Sequence, residues 1–113
     1  MKLITEYDFS IPFPSQMYIA KIRGEIKMEL YEKSDQQILD LSCLCIFLAK
    51  EIEKVGGEMR IYTDQGMNYA YIELEGKRLE FGERLSEILC NMNADVCFGK
   101  GSFAKLWTVR VMI

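Results

Sequence analysis

Residues 34–57, SDQQILDLSCLCIFLAKEIEKVGG, constrain the fold more than any other stretch, because both ends of a helix are written into them. Gln37 stands three residues after Ser34, the spacing of a capping box, and Asp35 suits the positive end of the helix dipole. Lys50 and Lys54 lie toward the other end, and Gly56-Gly57 supplies a left-handed stop. Between them Ile38, Leu41, Cys45, Leu48, Ala49 and Ile52 form a core stripe, which Leu39, Cys43, Ile46 and Phe47 widen well beyond one face. A helix over 34–55 with this much apolar surface is expected to be buried on more than one side, either within the domain or against another chain.

The remaining segments read mostly as strands. Residues 3–13 place Leu3, Thr5, Tyr7, Phe9, Ile11 and Phe13 on one face, and Pro12 and Pro14 end the run. Residues 17–31 place Tyr18, Ala20, Ile22, Ile26, Met28 and Leu30 opposite Lys21, Arg23, Glu25, Lys27 and Glu29, with Gly24 as a bulge or bend. Together these two runs predict a long antiparallel hairpin. A second hairpin is expected over 58–63 and 67–75, with Asp64 and Gly66 in its turn. A short strand over 78–81 follows, then a helix from about 82 to 92 buried through Leu85, Ile88, Leu89 and Met92. DVCF and SFAKLWTVRVMI form a final hairpin around Gly99-Lys100-Gly101. The expected order is β-β-α-β-β-(β)-α-β-β. It describes one α+β domain over residues 1–113, with a mainly antiparallel sheet of six to seven strands and two helices on one face.

Charge and cysteine content narrow the function classes. The 14 basic and 17 acidic residues leave a net charge of −3, which disfavours general attraction to phosphate backbones. The amino terminus lacks the apolar stretch of a signal peptide, and the run Leu39 to Ala49 is about half a membrane span. A soluble, cytoplasmic protein with no membrane association is expected. Cys43, Cys45, Cys90 and Cys97 lack the close pairing of zinc ligands. They read as reduced core residues, with a Cys90–Cys97 disulfide as the exception. No cofactor is implied.

The stretch NYAYIEL, residues 68–74, carries two tyrosines in an order that single-stranded RNA binders use. It resembles the third-strand signature of the RNA-recognition-motif family, and MYIAKI, residues 17–22, resembles that family's first-strand hexamer. The resemblance implies a ferredoxin-like order over 17–98, with Tyr18, Tyr69 and Tyr71 as base-stacking aromatics. Met67-Asn68 stands where the family places Lys/Arg-Gly, and the two motifs lie about fifty residues apart. Tyr18 also shares its apolar face with Ile22 and Ile26, which makes it a core residue. On 67–74 the alternation turns Ala70, Ile72 and Leu74 toward the helices. Met67, Tyr69 and Tyr71 face the other way, as a candidate binding surface unless a further layer covers them.

Other motifs carry less chemistry. FGKGSF, residues 98–103, offers Lys100 and Ser102 as an anion or nucleotide contact, although a tight turn accounts for both glycines. With no histidine, acid–base work would fall to carboxylates, lysine, tyrosine or cysteine. Glu73, Glu75 and Glu80 alternate with Lys77 and Arg78 as the rim of a turn, and Glu83 and Glu87 read as a wet helix face. No catalytic residue stands out. The expectation is a small non-enzymatic binding or regulatory protein that works through protein–protein contacts and self-associates. Its surface would be helix 34–55 or the Met67/Tyr69/Tyr71 face. The alternative is a nucleotide or single-stranded RNA binder using Tyr69, Tyr71 and the Gly-Lys-Gly turn.

Overall fold

The computed structural model describes residues 1–6, 16–64, 68–100 and 105–113, with Lys100 described by its backbone alone. The long helix, α2 (Asp35–Val55), forms where its caps place it. The Gln37 amide donates to Ser34 Oγ at 3.2 Å, and the Ser34 amide donates to Gln37 Oε1 at 3.1 Å. Gly56 takes the left-handed conformation, with φ of 64°. The Gly57 amide then donates to the Ile52 carbonyl at 3.0 Å. A Cβ on Gly57 would stand 2.3 Å from the Glu75 carbonyl oxygen, so the chain leaves the helix against the next strand pair with no room for a side chain.

Around α2 the described elements are β1 (Lys2–Glu6), α1 (Gln16–Glu29), β2 (Glu58–Asp64), β3 (Tyr69–Gly76), α3 (Glu83–Asn91), β4 (Asp95–Lys100) and β5 (Lys105–Met112). The fold is α+β, an antiparallel five-stranded sheet in the order β1-β2-β3-β5-β4 with three helices among the described residues. Rows across the sheet set its two faces. Ile61, Ile72, Val109 and Val96 stand side by side, as do Met59, Leu74, Trp107 and Phe98. Apart from the exposed Val96 and Phe98 of β4, these rows meet Tyr18, Ile22 and Ile26 of α1, Leu41, Leu44, Leu48 and Ile52 of α2, and Leu85 and Leu89 of α3 in one core. All three helices therefore lie on the same face. Burying each large apolar side chain contributes about 1.5–3 kcal/mol.

The second hairpin and the helix near 82–92 form where the sequence places them, while the final hairpin forms with Gly99 and Lys100 paired inside β4 rather than in its turn. Three expectations are corrected. Residues 16–29 are helix, not strand, so the first hairpin does not form. Tyr18, Ile22, Ile26 and Leu30 recur every four residues, a spacing that suits both a pleat and a helix. Ala20 and Met28, assigned to the same strand face, are exposed, Met28 by 77%. β1 pairs instead with β2, and an extra residue at Ile4 breaks its alternation. Leu3 then turns to the open face, while Thr5 is buried. Residues 78–81 form no strand, because β2 and β5 already occupy both sides of β3. Leu79 and Phe81 fill the core and its margin from an irregular segment. The count is thus five strands and three helices, against the six to seven and two expected.

Gly24 tests the helical assignment of α1. It is exposed in mid-helix, and a Cβ added there would meet nothing within 4 Å. Gly24→Ala should stabilise the protein by about 0.5–1 kcal/mol, read as a higher denaturation midpoint in urea. A lower midpoint would contradict a helix over 16–29.

Candidate interaction surface

The pleat of β3 divides its residues cleanly. Ala70, Ile72 and Leu74 are fully buried beneath the helices, and Tyr69, Tyr71, Glu73 and Glu75 are half-buried on the opposite face. Antiparallel register extends this second face across the sheet. Leu3, Tyr62, Tyr71, Arg110 and Asp95 form one row, and Asp64, Tyr69 and Met112 form its neighbour. A third row holds Glu6, Arg60, Glu73, Thr108 and Cys97. No described element packs over this face, because α1, α2 and α3 all pack on the other.

The face has an apolar, aromatic part and an acidic part. Tyr62 and Tyr71 meet edge to face, with ring centroids 6.3 Å apart. Beside them Leu3 and Met112 are 43% and 63% exposed. The Arg110 guanidinium lies 5.5 Å from the Tyr69 ring and donates to Asp95 at 2.7 Å. That hydrogen bond, with the Asp95 charge, raises the Arg110 pKa. In the acidic part Arg60 pairs with Glu58 and with Glu73, the latter at 3.0 Å, and lies 3.9 Å from both Glu6 and Glu75. Partial burial would lower its pKa, but Glu58 and Glu73 outweigh that effect and hold it above the ordinary value. Four carboxylates around one guanidinium leave this end of the face negative.

The structure thus places Tyr69 and Tyr71 together on a face that no described element covers. Met67 and Ser102 lie outside the described residues. Lys100 ends β4 opposite Lys105, level with Gly76, whereas Tyr69 is level with Met112. Seven residues of β3 separate those levels, a span of roughly 23 Å, so Lys100, which lies in β4, and Tyr69 occupy opposite ends of the sheet. MYIAKI lies within α1, and Tyr18 is fully buried there, which removes it from any stacking role. Arg60 and Tyr62 escaped the sequence reading, although the alternation of EMRIYT puts Glu58, Arg60 and Tyr62 on one side.

The second expected surface, helix 34–55, is mostly consumed within the chain. The broad apolar stripe of α2 is shared among α1, α3 and the sheet. What remains outside is a shallow groove of about 180 Å³ lined by Ile19, Leu39, Cys43, Ile46 and Phe47. A larger recess of about 620 Å³ opens beside β4, lined by Leu79, Phe81, Leu89, Val96 and Trp107. Trp107 stacks on Phe81 at 4.5 Å and touches Phe98 at 4.7 Å.

All four cysteines are unbridged, including Cys90 and Cys97, but only Cys45 is the core residue expected; Cys43, Cys90 and Cys97 are exposed. Burial, with a smaller contribution from Cys43, pushes the Cys45 thiol pKa far up. Among the described residues no three His, Cys, Asp or Glu side chains come together as metal ligands, and no helix is long and apolar enough to cross a membrane. No family model matches this sequence, no curated protein matches it, and no solved structure matches its fold.

The cysteine environments set an expected labelling pattern. Iodoacetamide should modify Cys43, Cys90 and Cys97 in the native protein, and Cys45 after unfolding in urea. Mass spectrometry of the labelled peptides checks this. Native labelling of Cys45 at the rate of the other three would contradict the packing of α2.

Proposed function

We propose that this chain is a non-enzymatic binding protein of the regulatory kind, acting through protein–protein contacts and associating with itself. The observation that carries the reading is the uncovered sheet face. It combines Tyr62, Tyr69 and Tyr71 with Leu3, Met112 and two arginines. Tyrosine and arginine are the residue types over-represented where binding energy concentrates. A sheet supplies them on a rigid support, so little conformational entropy is lost when a partner docks.

Electrostatics narrows the partner. Glu6, Glu58, Glu73 and Glu75 outnumber Arg60 at one end of the face. A protein segment with basic groups beside an apolar anchor complements this arrangement. A phosphate backbone does not, because the carboxylates next to the tyrosines repel it. Arg60 and Arg110 are held in ion pairs with carboxylates of the face, which suits recognition better than proton transfer.

Serine in place of Tyr69 and Tyr71 tests the reading. Partner capture by the immobilised chain should fall by about thirtyfold or more, the loss of hot-spot contacts worth roughly 2 kcal/mol or more. The far-ultraviolet spectrum and the denaturation midpoint should stay close to those of the parent. Undiminished capture would remove this face as the working surface, and an unfolded variant would make the two tyrosines part of the core.

A further inference from the structure

We propose that two copies of this chain pair edge to edge through β4, antiparallel, with Cys97 on the two-fold axis, to form one continuous sheet. The inference rests on the self-association half of the reading above and is independent of the tyrosine face.

The two edges of the sheet are built differently. β1 is interrupted by a bulge and carries Lys2 and Glu6 at its described ends. Lys2 further pairs with Glu29 of α1 at 2.9 Å. Bulges and charges are among the features that keep an edge from pairing with another chain. β4 has none of them at its centre. All six of its residues pair regularly with β5, and Val96-Cys97-Phe98-Gly99 carries no charge. Val96 and Phe98 are 37% and 47% exposed on the helix side.

That end of the sheet is also unfinished in a single chain. The recess of about 620 Å³ opens there, between α3 and the β4–β5 hairpin. The Trp107 indole N–H is buried with no hydrogen-bond partner among the described residues. Elsewhere the helix-side face of the sheet is closely covered.

The register follows from symmetry. A two-fold axis relating antiparallel edge strands stands normal to the sheet and keeps each residue on its own face. Opposed residues must therefore differ by an even number. With Cys97 opposite its own copy, Val96 meets Phe98 of the second copy twice, on the helix side. Asp95 meets Gly99, so no like charges oppose each other. Moving one step, with Phe98 opposite its copy, would set Lys100 against Val96. The first register pairs apolar with apolar. It also brings the two Cys97 Cα atoms to about 4.5–5.5 Å, within the span a disulfide bridges.

Native mass spectrometry combined with cross-linking tests the pairing. A Cys43→Ser/Cys90→Ser variant would be oxidised with diamide, which accepts two electrons and two protons as two thiols become a disulfide. Species at twice 13.1 kDa are expected in the untreated spectrum. After oxidation, a dimer bridged through Cys97 should resist denaturant and vanish when Cys97→Ser is added. Val96→Lys, which sets an ammonium against Phe98, should weaken the untreated dimer by about a hundredfold or more. Tyr69→Ser/Tyr71→Ser should leave it intact. A dimer that Cys97 does not bridge overturns the β4 interface while self-association stands. A monomer at every concentration overturns both. Should Val96→Lys fail to fold, the Cys97 bridge still decides the matter.

Discussion

The contact between the buried residues of β3 and the helix α2 is the one on which the rest of the structure depends. Ala70, Ile72 and Leu74 present a continuous apolar strip without any exposure. A slip of one residue would exchange that strip for Tyr69, Tyr71 and Glu73. Pairing with β2 on one side and β5 on the other locks the register through Ile61, Ile72 and Val109. Once α2 is seated there, α1 and α3 flank it on the same face. The tyrosines are then turned away from all three helices.

The legibility of the sequence follows from how many independent signals each segment carries. α2 is legible because a capping box, a glycine stop and a wide apolar stripe agree. β3 is legible from strict alternation, and so is the division of its tyrosines from its aliphatic residues. α1 is not, since Tyr18, Ile22, Ile26 and Leu30 fit either period and the charges from Lys21 to Glu29 imitate a pleat. The helix-forming Met, Ala, Lys, Arg and Glu residues of that stretch carry the deciding preference. β1 is hidden by its bulge. The sheet order is beyond local reading, because β5 inserts between β3 and β4 by tertiary packing rather than by any sequence signal. Of the open face, Tyr69 and Tyr71 can be read. Arg60 and its ring of carboxylates require the register of β1, β2 and β3 together.

The two surfaces proposed for this chain are compatible in space. The tyrosine face is centred on β2 and β3, while the β4 edge lies at the far side of the sheet. A two-fold axis normal to the sheet keeps both copies' tyrosine faces on the same side. A pair joined through β4 would thus offer a partner two acidic, aromatic surfaces on one continuous platform. Binding to both at once would gain from effective concentration without any new contact. The covering of the sheet by helices on one side makes this possible, because a second helical layer would bury the tyrosines.

A binding role for the tyrosine face requires that the chain leave that side of the sheet open to solvent. Photochemically induced nuclear polarisation, which reports dye access to tyrosine rings, measures this residue by residue on the isolated protein. Tyr62, Tyr69 and Tyr71 should polarise along with the exposed Tyr31, while the buried Tyr18 should stay silent. Silent Tyr69 and Tyr71 in a monomeric sample would mean that the chain covers its own sheet, and would contradict the assignment of that face as a binding surface.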